Sequence, residues 1–155
     1  MEWVMEPSHE TIVYLRIDTF FTKTKMKIAK ELMDELTAQA KNSPRLRMNF
    51  DLRNSSEDKS QRMLNALEPG TPLPIHRHMS SSETVICLRG HLRELFYNDN
   101  KEITEIVDLA PNSECVALNI PIGQWHSVEV LESGTVILET KDGAYEPQKP
   151  EDILL

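Results

Sequence analysis

The sequence predicts a mainly β fold, an antiparallel sandwich or barrel that carries one N-terminal helix. No helical period is sustained after Pro44, which is the first sign. Second, runs rich in strand-forming residues recur over 60–67, 83–89, 91–97, 103–109, 114–120, 126–131 and 134–140. Third, turn signals separate them, among them Glu68-Pro69-Gly70, Asn98-Asp99-Asn100, Ala110-Pro111-Asn112 and Glu132-Ser133-Gly134. Short strands joined by tight turns close into layers of this kind.

Taken in order, residues 12–17 (Ile-Val-Tyr-Leu-Arg-Ile) are β-branched and aromatic and read as a strand or an ordered arm. From Lys25 to Ala40, the positions Ile28, Ala29, Leu32, Met33, Leu36 and Ala40 form one apolar stripe, with Thr24 as N-cap. That is an amphipathic helix ending before Ser43-Pro44. Met26, Met33, Met48 and Met63 are expected to cover the barrel or to pack against a second copy. Residues 51–60 are the most polar stretch and read as a loop into the barrel. The end of the chain, with Pro147 and Pro150, reads as an irregular tail. A single domain over 1–155 follows, with an arm, helix and loop over 1–59, a barrel over 60–142 and a tail over 143–155.

With 155 residues the chain can bury a sufficient core without disulfides or structural metal, so a bound metal would be functional. A net charge of −8 and the absence of a basic run argue against nucleic acid as a partner. No stretch approaches the roughly 18 apolar residues of a membrane span. Met1 to Glu6 carries acid where a secretory signal carries base. Cys87 and Cys115 both lie in apolar runs and read as buried reduced thiols. A cytoplasmic location is the expectation.

The chemistry concentrates in the histidines. His76 and His78 flank Arg77, and on an extended segment alternate side chains share a face, so both imidazoles can address one centre. Glu83 follows at the mouth of the next strand, and His126 begins another after a Pro121-Ile122-Gly123 turn. Three imidazoles and a carboxylate satisfy a divalent first-row metal and leave coordination positions open. Zn, Fe, Mn or Ni all accept such donors.

Gly70, His76, His78, Glu83 and Gly90 stand at spacings that resemble the first motif of the cupin superfamily. The second motif is matched in part, by Pro121, Gly123 and His126, with Cys115 in place of its leading glycine and Val130 in place of its closing asparagine. The likeness implies a cupin-type double-stranded β-helix, or jelly-roll barrel, with His76, His78, Glu83 and His126 as ligands of one divalent metal ion. Over residues 17–150 the order of helix, Ser43-Pro44-Arg45, Gln61 to Gly70, His76-Arg77-His78 and Trp125-His126 resembles the WbuC-type cupin fold metalloproteins. That family is named from bacterial surface-polysaccharide gene clusters. The resemblance also implies a homodimer.

Around this centre, Arg62 and Arg77 are candidates to hold an anionic small-molecule ligand, although arginine pairs as readily with a carboxylate of the protein. Arg62 and Asn65 are three apart on one strand, so at most one of them lines the pocket. Glu139, Lys141 and Tyr145 offer a carboxylate, an amine and a phenol as catalytic candidates. Glu139 and Lys141 share strand parity, and an ion pair is the structural alternative. The leading expectation is a metal-dependent enzyme acting on a small oxygenated or anionic metabolite. Its rivals are a non-catalytic binding barrel and a metal-free sugar-nucleotide epimerase with a His and Asp pair as base.

Overall fold

The computed structural model describes residues 25–154. The expected arm at 12–17 and the Thr24 cap lie outside them. The first element is helix α1 (Lys30–Asn42), five residues later than the stripe suggested. Starting at Lys25 would set Lys25 and Lys27 against the positive end of the helix dipole, whereas the observed start puts Glu31 in the first turn and Lys41 in the last. Ile28 consequently lies outside the helix and is exposed.

Strands β1 (Arg47–Asp51), β2 (Ser60–Leu67), β3 (Ile75–His76), β4 (Glu83–Arg89) and β5 (Leu92–Tyr97) follow. Then come β6 (Ile103–Leu109), β7 (Ala117–Ile120), β8 (Trp125–Val130), β9 (Thr135–Asp142) and β10 (Ile153–Leu154). They form two five-stranded antiparallel sheets, ordered β1-β2-β9-β4-β7 and β10-β3-β8-β5-β6. The chain crosses repeatedly from one sheet to the other, which is the mainly β jelly-roll with an N-terminal helix that the sequence predicts.

Two apolar layers hold it together. Between the sheets pack Leu67, Val85, Leu92, Phe96, Ile120 and Ile137. Outside the first sheet, Leu36 and Ala40 of α1 pack on Phe50, Leu64, Ala66 and Val136. Strand parity sorts β2 between these layers, with Leu64 and Ala66 toward the helix while Met63, Asn65 and Leu67 line the interior. Arg89 fastens the helix: its guanidinium donates to Asp34 Oδ1 at 2.6 Å, to Thr37 Oγ1 at 2.6 Å and to the Met33 carbonyl at 2.9 Å.

Two elements depart from the sequence reading. β1 occupies part of the region read as arm and loop, and its Arg-Met-Asn-Phe-Asp alternation turns Met48 and Phe50 to the helix and Arg47 and Asn49 to the barrel interior. The stretch read as an irregular tail contains a 3-10 turn (Pro150–Asp152) and β10, which pairs Ile153 with His76. Pro150 opens that turn, where its missing N–H costs nothing.

Candidate metal centre

Three separate pieces of chain supply the four donors. His76 ends β3, His78 follows two residues on, Glu83 opens β4, and His126 is the second residue of β8, directly opposite His76 in the antiparallel register. One ligating atom from each lies within 4.8 Å of every other. His78 Nε2 is 2.9 Å and His126 Nε2 3.7 Å from Glu83 Oε2. Donors about 2.1 Å from a common ion stand about 3 to 4.2 Å apart, so the set fits one first-row divalent cation after small adjustments of rotamer.

Backbone carbonyls set two of the tautomers. His76 Nδ1 donates to the Pro74 carbonyl at 3.1 Å, and His126 Nδ1 donates to that of Gln124 at 3.0 Å. Because a carbonyl can only accept, each Nδ1 carries the proton and each Nε2 keeps its lone pair for a ligand role. Burial and the neighbouring His126 push the His76 pKa down to about 3, which keeps that ring neutral. Burial of Glu83 raises its pKa, but the hydrogen bond from Glu139, the contacts with His126 and His78 and the charge of Lys141 outweigh it and hold the carboxyl well below the usual range, so it stays ionised.

A cavity of about 180 Å³ opens beside these donors. Glu139 and Lys141 of β9 both line it. Burial and the charge of Glu83 push Glu139 well above the ordinary carboxyl range, so it remains a neutral acid hydrogen-bonded to Glu83. Asn65 Nδ2 donates to its Oε2 in a very short contact. Lys141 Nζ donates to Glu83 Oε2 at 3.3 Å and stands 3.4 Å from His78 Nε2. Burial works against its charge, yet Glu139 and Glu83 more than compensate and raise its pKa. Tyr145, exposed, stands at the rim.

The structure does not bring Arg62 or Arg77 into the cavity. Arg62 lies on the outer face of β2, where its guanidinium meets Asp58 Oδ2 at 3.0 Å and the Leu52 carbonyl at 3.3 Å. Of the pair Arg62 and Asn65, it is Asn65 that lines the pocket, as parity requires. Arg77 alternates with its two histidine neighbours and turns the other way, onto Trp125 and Asp152. The positive charge at the cavity comes instead from Arg45, Arg47 and Lys141. Sequence reasoning missed Arg45 and Arg47 with β1, and missed Glu94, which lines the cavity fully buried. In Leu-Arg-Glu-Leu-Phe-Tyr both parities carry apolar residues, so alternation left the facing of Glu94 open.

Comparison with known proteins bears on the family and the fold. Residues 28–109 match the family described as "Domain of unknown function (DUF6016)". The structure of KdgF from Halomonas sp. superposes with a TM-score of 0.52 at 12% identity, over 66% of this chain and 84% of that one. Oxalate decarboxylase from Bacillus subtilis gives 0.49 at 18% identity, over 70% of this chain but only 27% of that longer one. No curated protein matches the sequence. The likeness to KdgF, at 12% identity, is one of fold and agrees with the two-sheet jelly-roll described above.

Proposed function

We propose that this chain, which belongs to the family described as "Domain of unknown function (DUF6016)", is a mononuclear divalent-metal cupin acting on a small oxygenated metabolite. The observation that carries the reading is the convergence of His76, His78, Glu83 and His126, with the Nδ1 protons of His76 and His126 already committed to carbonyls. Accident rarely leaves two imidazole lone pairs, that of His126 fully buried, beside a buried ionised carboxylate. Three nitrogens and one carboxylate suit Zn, Fe, Mn or Ni. Such an ion, when bound, polarises a ligand oxygen or lowers the pKa of a coordinated water.

The protein's own groups supply the rest of the site. Lys141 holds a fixed positive charge against Glu83, and Glu139 presents a neutral carboxyl beside it. Arg45 and Arg47, partly exposed, bring positive charge to their side of the cavity. A ligand with an anionic group is therefore drawn in from that side. The resemblance to WbuC-type cupins supports a carbohydrate-related metabolite, and a homodimer in the cytoplasm belongs to the same proposal. No helix of the described residues is long and apolar enough to cross a membrane.

The epimerase reading has less support. His78 and His126 meet Glu83 rather than an aspartate, and the exposed His91–Asp108 contact of 2.9 Å lies away from the cavity. Elemental analysis of protein purified without chelators or nickel columns tests the proposal. About one divalent ion per chain is expected, lost in His78→Ala. Sub-stoichiometric content for every first-row metal would overturn it.

A further inference from the structure

Glu94 carries the inference. It sits mid-strand in β5 between Leu92 and Phe96, which share its parity and pack in the inter-sheet core. Its side chain is 0% exposed, it lines the cavity, and neither carboxyl oxygen has a hydrogen-bond partner among the described residues. Val128 stands opposite it on β8, and Ile137 and Leu67 line the same space. A buried carboxyl among apolar side chains is costly to keep, and a group so placed is expected to meet something polar in the working molecule.

We propose that Glu94 is the specificity-determining residue of the cavity, and that it accepts a hydrogen bond from a hydroxyl of a short hydroxylated carboxylate whose anionic end points toward Arg45 and Arg47. This rests on the metal-cupin reading and adds the ligand class. Three considerations select that class.

The first is charge. Two carboxylates cannot hydrogen-bond to one another, so the unpartnered Glu94 disfavours an anionic ligand group beside it, while the guanidinium groups of Arg45 and Arg47 favour one. The ligand is therefore anionic at one end and neutral at the other. The second is hydrogen-bond chemistry. A hydroxyl can donate to a carboxyl in either protonation state, so the match does not depend on how Glu94 titrates. The third is size. A cavity of about 150 Å³ holds a benzene-sized molecule, so the present one, at about 180 Å³, takes roughly seven to nine non-hydrogen atoms. Three- and four-carbon polyhydroxy acids have that number.

Calorimetric titration of the metal-loaded full chain tests this, with glycerate and erythronate as probes and propionate and butyrate as their deoxygenated counterparts. The wild type is expected to prefer each hydroxy acid by about ten- to a hundredfold, the effect of leaving a buried polar group unpaired. Glu94→Leu should bind glycerate no better than propionate, with metal content unchanged, because Glu94 is not among the four donors. Glu94→Gln, whose amide oxygen still accepts, should retain part of the preference. Equal binding of hydroxylated and deoxygenated probes by the wild type overturns the proposal whatever the variants do, and so does a preference that survives in Glu94→Leu. If metal is present at one ion per chain and no probe discriminates, only this inference falls. If metal is absent, the metal-cupin reading falls and takes this inference with it.

Discussion

Arg77 and Asp152, 75 residues apart in the chain, meet through two contacts: Arg77 Nε donates to Asp152 Oδ1 at 2.9 Å, and Arg77 N donates to the Asp152 carbonyl at 3.1 Å. The guanidinium also lies 4.3 Å above the Trp125 ring. Arg77 stands between two metal donors and Trp125 precedes a third, so the C-terminal turn clamps the backbone that aims His76, His78 and His126. Asp152→Ala is expected to cost about 1 kcal/mol of stability, since the pair is partly solvated. It should also lower metal affinity about tenfold, because groups that orient ligands count nearly as much as the ligands. Chelator competition measures the second effect. Unchanged affinity would show that the clamp serves the fold alone.

Gly90 closes the β4–β5 turn against Thr135. Its φ is +82°, and a Cβ there would stand 2.7 Å from the Thr135 Cα, a backbone atom that cannot rotate away. Thr135 is itself fixed, accepting from the His91 N–H at 3.1 Å and donating to the Glu132 carbonyl at 2.7 Å. Gly90→Ala therefore combines a left-handed backbone strain with an overlap that only strand movement relieves. A loss of about 3 kcal/mol or more is expected from urea unfolding. A loss under about 1 kcal/mol would mean the turn has another conformation.

The donor set was legible because its geometry is local. His76 and His78 share a face by alternation alone, and the Pro121-Ile122-Gly123 turn marks where His126 begins a strand. Parity also showed that Arg62 and Asn65 part company, though not which of them faces inward. That choice depends on where α1 packs, and the helix covers the Leu64 and Ala66 face. β1 was hidden because its burial is inverted, with polar residues toward the cavity and apolar ones toward the helix. β10 is two residues long and exists through its partner β3, so no local pattern announces it. Long-range partners decided each of the features that the sequence concealed.

Lys141 and a bound cation compete for one carboxylate. Nζ lies 3.3 Å from Glu83 Oε2 and 3.4 Å from His78 Nε2, both of them donor atoms. Even at an effective dielectric of about 20, two unit charges 4 Å apart interact by about 4 kcal/mol, and a divalent ion doubles the repulsion. Replacing Lys141 with Met should therefore tighten divalent-metal binding at least tenfold in chelator competition. The metal-free protein should become less stable, because Glu83 loses its cation. Weaker binding in the variant would instead make Lys141 the group that positions Glu83.

Cys87 provides a pH signature for the inter-sheet core. It is buried there, and burial pushes its thiol up to about 11, above the ordinary 9.0. The folded protein therefore holds this proton through a range in which the unfolded chain has released it, so the contribution to stability is fully present below pH 9 and is lost as pH rises toward 11. The thiolate is the reacting species, so at pH 8 Cys87 should resist an aromatic disulfide reagent in native protein and react only after unfolding. Cys115, half-buried, should account for any fast labelling. The alkaline loss of stability should shrink in Cys87→Ala, after correction for the cavity that this change leaves. Fast modification of both thiols at pH 8, or an unaltered alkaline slope in the variant, would show that Cys87 is reached by water in the native state.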